Sequence, residues 1–179
     1  ADALDGVLCI DEAYVDFARR DCMELARTRR NVLVMRTLSK GYSLAGLRFG
    51  FAVGDANLIA GLMKVKDSYN ADAVAIAAAT AAIADREYQQ QTRAKVIAER
   101  QRLTAVLTEL GMPPLPSESN FLFALCRRPS AAELYESLKA RRILVRYFNS
   151  PGTADRLRIT VGTPDQNDIL IAALKELVA

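Results

Sequence analysis

Along this chain the spacing of apolar residues switches between short continuous runs and helical periodicity, and the switch points mark its elements. Val7-Leu8-Cys9-Ile10 is a short apolar run, the pattern of a strand covered on both faces, and it ends at Asp11-Glu12-Ala13-Tyr14. A helical stretch from Cys22 to Thr28 leads to a second such strand, Val32 to Met35, and then to the polar turn Thr37-Leu38-Ser39-Lys40-Gly41. A third strand is expected from Leu47 to Val53. It follows a loop rather than a crossover helix, so an antiparallel pairing is expected. Gly54-Asp55 stops that strand and caps a helix over Asn57–Lys66, which Ser68-Tyr69-Asn70 breaks. Ala71–Ala84 is so rich in alanine that a helix packed closely against a neighbour is expected. Arg86 to Leu110 reads as one long helix stopped by Gly111.

Met112-Pro113-Pro114-Leu115-Pro116-Ser117 is the clearest linker. Beyond it, strands are expected at Asn120–Leu125, Ile143–Phe148 and Arg156–Val161, with a helix over Ala131–Ala140. Thr163, Pro164 and Gln166 supply a cap, a first-position proline and a capping-box partner for a final helix, Asp168 to Val178. The fold class is therefore α/β. Residues 1–112 form part of a large open sheet plus a long connecting helix, and residues 113–179 form a small α+β domain.

Composition narrows the function. The 179 residues suffice for one sizeable core with a small added layer. A 51% hydrophobic and 25% charged make-up is that of a soluble globular protein, and no apolar run approaches the roughly 20 residues that span a bilayer. A net charge of +3, with acids and bases interspersed, argues against a nucleic-acid partner. Ala1 to Asp5 is too short and acidic for a signal peptide. There is no histidine, so Ser-His-Asp and Cys-His chemistry are excluded within this chain, and proton transfer falls to Lys, Asp, Glu or Tyr. Cys9, Cys22 and Cys126 have no CxxC spacing. They are expected to be buried or partly buried free thiols in a reducing cytoplasm, not metal ligands.

The chemistry concentrates around Lys40. A lysine after a strand is ordinarily a solvated loop residue. Here the hydroxyls of Thr37 and Ser39 and the guanidinium of Arg48 are placed to converge on one anion, and an arginine fork suits a phosphate. An amine beside a phosphate site is what a Schiff-base cofactor requires. Asp11 closes another buried-type strand, with Tyr14 three residues on. Its carboxylate either caps the next turn or pairs with a pyridinium nitrogen. Ligands of open α/β sheets bind beyond the carboxyl ends of the strands, which could put Asp11 and Lys40 on one rim.

Ile10-Asp11-Glu12-Ala13-Tyr14-Val15-Asp16-Phe17, Arg36-Thr37-Leu38-Ser39-Lys40 and Leu44-Ala45-Gly46-Leu47-Arg48-Phe49-Gly50 together resemble fold-type I, pyridoxal-phosphate (PLP) aminotransferases. Within them the chain looks most like the histidinol-phosphate aminotransferases, as do Ser119-Asn120-Phe121 and Leu157-Arg158-Ile159-Thr160-Val161-Gly162-Thr163. The resemblance implies the C-terminal portion of a cytoplasmic, homodimeric enzyme of histidine biosynthesis. It would move an amino group between histidinol phosphate and 2-oxoglutarate, a small anionic donor and acceptor. It also implies the roles. Lys40 carries PLP, Asp11 pairs with the ring nitrogen, and Tyr14 meets the ring hydroxyl. Thr37, Ser39 and Arg48 hold the cofactor phosphate. Arg158 binds the substrate anion with help from Arg146, and Arg156 competes for that part because strand alternation puts it on the same face. Tyr69 and Asn70 fall in a segment that the family places near its active site. The family's N-terminal portion would supply further cofactor contacts, so the chain alone is expected to have little activity and to expose strand edges. Another aminotransferase, a phosphate-amino-acid decarboxylase on the same fold, and a non-catalytic assembly module are the alternatives.

Overall fold

The computed structural model describes residues 1–178, and the chain divides into two units, Ala1–Arg93 and Ala94–Ala179. In the first, β1 (Leu8–Asp11) runs parallel to β2 (Val32–Thr37), and β2 pairs antiparallel with β3 (Gly50–Gly54), in the order β1-β2-β3. The antiparallel expectation for the third strand holds. The helix α1 (Met23–Thr28) connects β1 to β2 and buries Ala26 against Val32 and Val34. Central β2 is the buried strand, with Val32, Leu33 and Val34 all sequestered.

Two strand expectations need correction. β1 is not covered on both faces: Leu8 and Ile10 are half-buried while Cys9 and Asp11 are exposed. Only the face that carries Leu8 and Ile10 packs against the cluster of Ala26, Val32 and Val34, and alternation turns Cys9 and Asp11 to the other face. Cys9 is consequently an exposed thiol, not a buried one. β3 begins at Gly50 rather than Leu47, because Ala45–Leu47 forms a 3-10 turn and Arg48 adopts a left-handed backbone (φ 52°) that cannot join a ladder. Close strand approach explains the glycines that bound β3. A Cβ on Gly50 or Gly54 would lie 2.9 Å from the carbonyl oxygen of Arg36 or Val32.

α2 (Ala56–Val65) starts at Asp55, whose side chain accepts the Asn57 N–H at 2.8 Å. α3 (Ala73–Ala84) is capped by Asp72 accepting from Ala75 N–H at 2.8 Å. Close packing of α3 is realised along one stripe only. Ala75 and Ala79 are buried, but Val74, Ile76 and Ile83 are exposed. A helix apolar all round presents no preferred face, and the first unit supplies a neighbour to one side.

α4 (Arg86–Glu109) runs from the first unit into the second. The second unit is a three-stranded antiparallel sheet in the order β4 (Phe121–Leu125), β6 (Arg156–Thr160), β5 (Arg146–Tyr147). α5 (Ala131–Ala140) and α6 (Pro164–Val178) complete it. Leu103 and Leu107 of α4 enter a core with Leu122, Leu134, Leu138, Leu157, Ile159 and Leu174. The division at Arg93 falls within α4, and the linker runs beside β4, with Leu115 N–H donating to Phe123 O at 3.1 Å. The expected strand 143–148 shrinks to two paired residues. Arg142 is left-handed (φ 61°) and Ile143 N–H returns to Leu138 O to close α5. α6 starts at Pro164, with the Thr163–Gln166 box formed in both directions, at 3.0 and 3.4 Å. Among the described residues no helix is long and apolar enough to cross a membrane.

Candidate active site

Because β1 and β2 are parallel, their carboxyl ends lie on one rim of the sheet. Asp11 is the last residue of β1, level with Met35, and Lys40 follows the end of β2 by three residues. Lys40 Nζ stands 5.6 Å from the centroid of the Tyr14 ring. Thr37 and Ser39 are joined, the Thr37 hydroxyl donating to Ser39 Oγ at 2.9 Å and accepting Ser39 N–H at 3.1 Å. Asp11 is exposed and accepts Ala13 N–H through one oxygen at 2.9 Å, the capping role. Among the described residues no hydrogen bond reaches its other oxygen.

Arg48 is not gathered to this group. It is exposed and its Nη1 donates to Ala45 O at 3.2 Å, with no hydrogen bond to Thr37 or Ser39 among the described residues. Tyr69 is almost wholly exposed, and Asn70 accepts from Lys66 Nζ at 3.3 Å.

Beneath the rim lies a polar frame that motif reading did not single out. Glu12, beside Asp11, is buried. Its carboxylate accepts Cys22 N–H at 2.5 Å and Arg36 Nε at 2.8 Å. Arg36 Nη2 contacts Glu12 at 2.8 Å and Asp21 at 3.2 Å as an ion pair, without hydrogen-bond alignment. Arg36 thus anchors β2 just before the Thr37–Lys40 turn. Asp16 lies against Gly41, and a Cβ at Gly41 would overlap the Asp16 carboxylate. Burial pushes the Asp16 carboxyl above its ordinary range, against the opposing pull of Arg36, the Gly41 amide and Arg93. Arg93 fastens the same segment by donating to the carbonyls of Asp16 (2.5 Å) and Ala18 (2.9 Å). The signal for this frame was present, since Glu12 and Asp16 alternate with Asp11 and Tyr14 around a tight turn. Nothing in the order of residues named the partners.

The substrate candidates lie in the second unit. Arg156 and Arg158 share one face of β6, as alternation requires, while Leu157 and Ile159 are buried on the other. Arg158 Cζ is 5.3 Å from the Phe121 ring centroid and 5.7 Å from that of Phe148. Arg146 Cζ is 5.2 Å from Phe148. Arg156 is over Phe123 at 5.8 Å and has a carboxylate nearby, Asp155 at 3.7 Å. Among the described residues no carboxylate pairs with Arg146 or Arg158, so neutralisation separates Arg158 from Arg156 where sequence alternation could not. The phenylalanines were not anticipated, although Phe121-x-Phe123 facing Arg156-x-Arg158 carries the period of two.

Comparison with known proteins agrees with these features. The profile of "Aminotransferase class I and II" matches residues 1–174. Histidinol-phosphate aminotransferase 1 of a Nostoc species is 53% identical over 99% of this chain and 50% of its own length. That of Aromatoleum aromaticum is 49% identical over 96% of the chain and 49% of its own length. The crystal structure of histidinol-phosphate aminotransferase from Sinorhizobium meliloti in complex with pyridoxal-5'-phosphate superposes with a TM-score of 0.87 at 30% identity, covering 96% of this chain and 48% of that one. The histidinol-phosphate aminotransferase from Clostridium acetobutylicum, at 22% identity and a TM-score of 0.90, shares the fold over 96% of this chain and 54% of its own. The chain spans about half the length of the curated relatives it matches. With a matching profile along nearly all of its sequence and the same fold in solved relatives, this chain belongs to the class I and II aminotransferase family.

Proposed function

We propose that this chain is part of a PLP-dependent transaminase that converts histidinol phosphate and 2-oxoglutarate to imidazole acetol phosphate and glutamate, in histidine biosynthesis. The observation that carries the reading is the rim of the parallel pair, where Lys40 projects beside the Tyr14 ring and Asp11 ends the adjacent strand. The residues fit the cofactor in chemical type: an amine with no carboxylate partner among the described residues, an exposed acidic group, and a paired set of hydroxyls.

Lys40 Nζ would hold the cofactor aldehyde and, once the substrate amine takes its place, move the proton at the substrate α-carbon. Asp11 would keep a proton on the ring nitrogen, and Tyr14 would orient the ring hydroxyl. Thr37, Ser39 and, after turning from Ala45 O, Arg48 would hold the cofactor phosphate. When bound, PLP supplies an electron sink for the substrate carbanion. Arg158, assisted by Arg146, would bind the anionic end of either substrate, a reading supported by the lack of a carboxylate partner for both among the described residues. A cytoplasmic homodimer is the assembly this reading implies.

The test is PLP addition to the full-length protein that carries this chain, with visible absorption recorded for wild type and Lys40→Ala. A cofactor band lost in Lys40→Ala, together with transfer from glutamate to a keto acceptor, is expected. A folded protein with no Lys40-dependent band overturns the assignment.

A further inference from the structure

The small sheet contains an arrangement that is unfavourable by itself. Arg146 of β5 stands directly opposite Arg158 of β6, and Phe123 of β4 faces Arg158 from the other side. Like charges opposed across strands destabilise a sheet, and no carboxylate relieves this pair among the described residues. One ring is shared by both cations: the Phe148 centroid lies 5.2 Å from Arg146 Cζ and 5.7 Å from Arg158 Cζ. Phe123 meets that ring edge-on, with centroids 6.4 Å apart and planes at 78°. Phe148 and Arg158 line a pocket of about 440 Å3 with Phe121, Phe123, Ser150 and Thr153.

We infer that Phe148 is a positioning residue for anion binding. Its ring holds Arg146 and Arg158 side by side, so that a dianion of the phosphate-monoester class completes the pair better than a single carboxylate does. The ring quadrupole attracts both guanidiniums and partly offsets their repulsion. Two planar forks held together offer more donors than one carboxylate can accept, whereas a phosphate has three oxygens to receive them. The inference rests on the proposed role of Arg158 in binding the substrate anion. It goes further in assigning selectivity to the pair and the spacing of the pair to Phe148.

The test is calorimetric titration of the PLP-saturated full-length protein, in which the cofactor occupies the Thr37, Ser39 and Arg48 phosphate site, with inorganic phosphate and separately with acetate, at about pH 8, where phosphate is the dianion. Phe148→Leu and Phe148→Met, which keep bulk but lose the ring, are expected to weaken phosphate binding about fivefold or more and to change acetate binding much less. Phe148→Tyr, which restores a ring, is expected to stay within about twofold of wild type. Unchanged phosphate affinity in Phe148→Leu or Phe148→Met, alongside lost binding in Arg158→Ala, overturns the inference and leaves the role of Arg158 standing. Undiminished phosphate binding by Arg158→Ala, or none by wild type, overturns both.

Discussion

Replacing Glu12 by glutamine is expected to destabilise the first unit by about 2 kcal/mol. Removing one partner of a buried ion pair costs roughly 3–5 kcal/mol, because the other charge is stranded. Two features lower that figure here. The Arg36 side chain is 23% exposed, and Asp21 remains within 3.2 Å of it. Glutamine also keeps an oxygen for the Cys22 N–H. An exposed pair of similar length provides the control: Arg29 and Asp2 are 2.9 Å apart with side chains 44% and 79% exposed, so Arg29→Gln should cost less than about 1 kcal/mol. Urea denaturation followed by far-UV circular dichroism measures both. With a slope of about 1–3 kcal/mol per molar urea, Glu12→Gln should lower the midpoint by about 1 M. The double variant Glu12→Gln, Arg36→Met removes both charges of the pair while keeping an acceptor for the Cys22 N–H, and should be less destabilised than Glu12→Gln alone. A Glu12→Gln midpoint indistinguishable from that of Arg29→Gln, or a double variant worse than the single, would refute the reasoning.

Two further outcomes follow from titratable groups. Burial raises the Asp16 carboxyl, so the folded state takes up its proton before the unfolded chain does. The associated stabilisation is complete below the ordinary carboxylate range and is lost as pH rises through the folded value. Asp16→Asn should therefore exceed wild type in heat-denaturation midpoint at neutral pH, with the advantage vanishing in acid. Glu99 has the opposite sign. The Arg102 hydrogen bond, then that of Asn167, lowers its carboxyl, so its stabilisation is present above the ordinary range and lost as pH falls through the lowered value. Glu99→Gln should be destabilised at neutral pH only, and pH-independent differences would contradict both signs. Alkylation read by mass spectrometry should label exposed Cys9 quickly at about pH 8. Cys126, buried with its thiol pushed up to about 11, should react only after unfolding. Labelling of Cys126 as fast as Cys9 would place that thiol outside the core.

Local pattern carried most of the elements. Asp55 and Thr163 cap helices where a short polar side chain precedes an apolar period, since capping is decided within one turn of chain. The errors fell where one residue's neighbours lie far away in sequence. Val7-Leu8-Cys9-Ile10 has a buried strand's composition, yet burial depends on what covers each face, and only the face of Leu8 and Ile10 packs on Ala26, Val32 and Val34. The shortening of the expected strand 143–148 has a local cause instead: Arg142 is left-handed and Ile143 N–H returns to Leu138 O behind α5, a helix-closing turn that alternation does not register.

The same division holds for chemistry. The sequence by itself determined the family through spaced motifs around Asp11, Lys40 and Arg158, and it excluded a histidine contributed by this chain, because those statements need only residue identity and order. Tertiary structure alone decided which groups meet. It placed Lys40 over Tyr14, sent Arg48 to Ala45 O, joined buried Glu12 to Arg36, and seated Arg146 and Arg158 on one Phe148 ring. Charge pairing and ring contacts depend on distances of a few ångströms between residues up to dozens of positions apart, and only strand register and helix packing fix those.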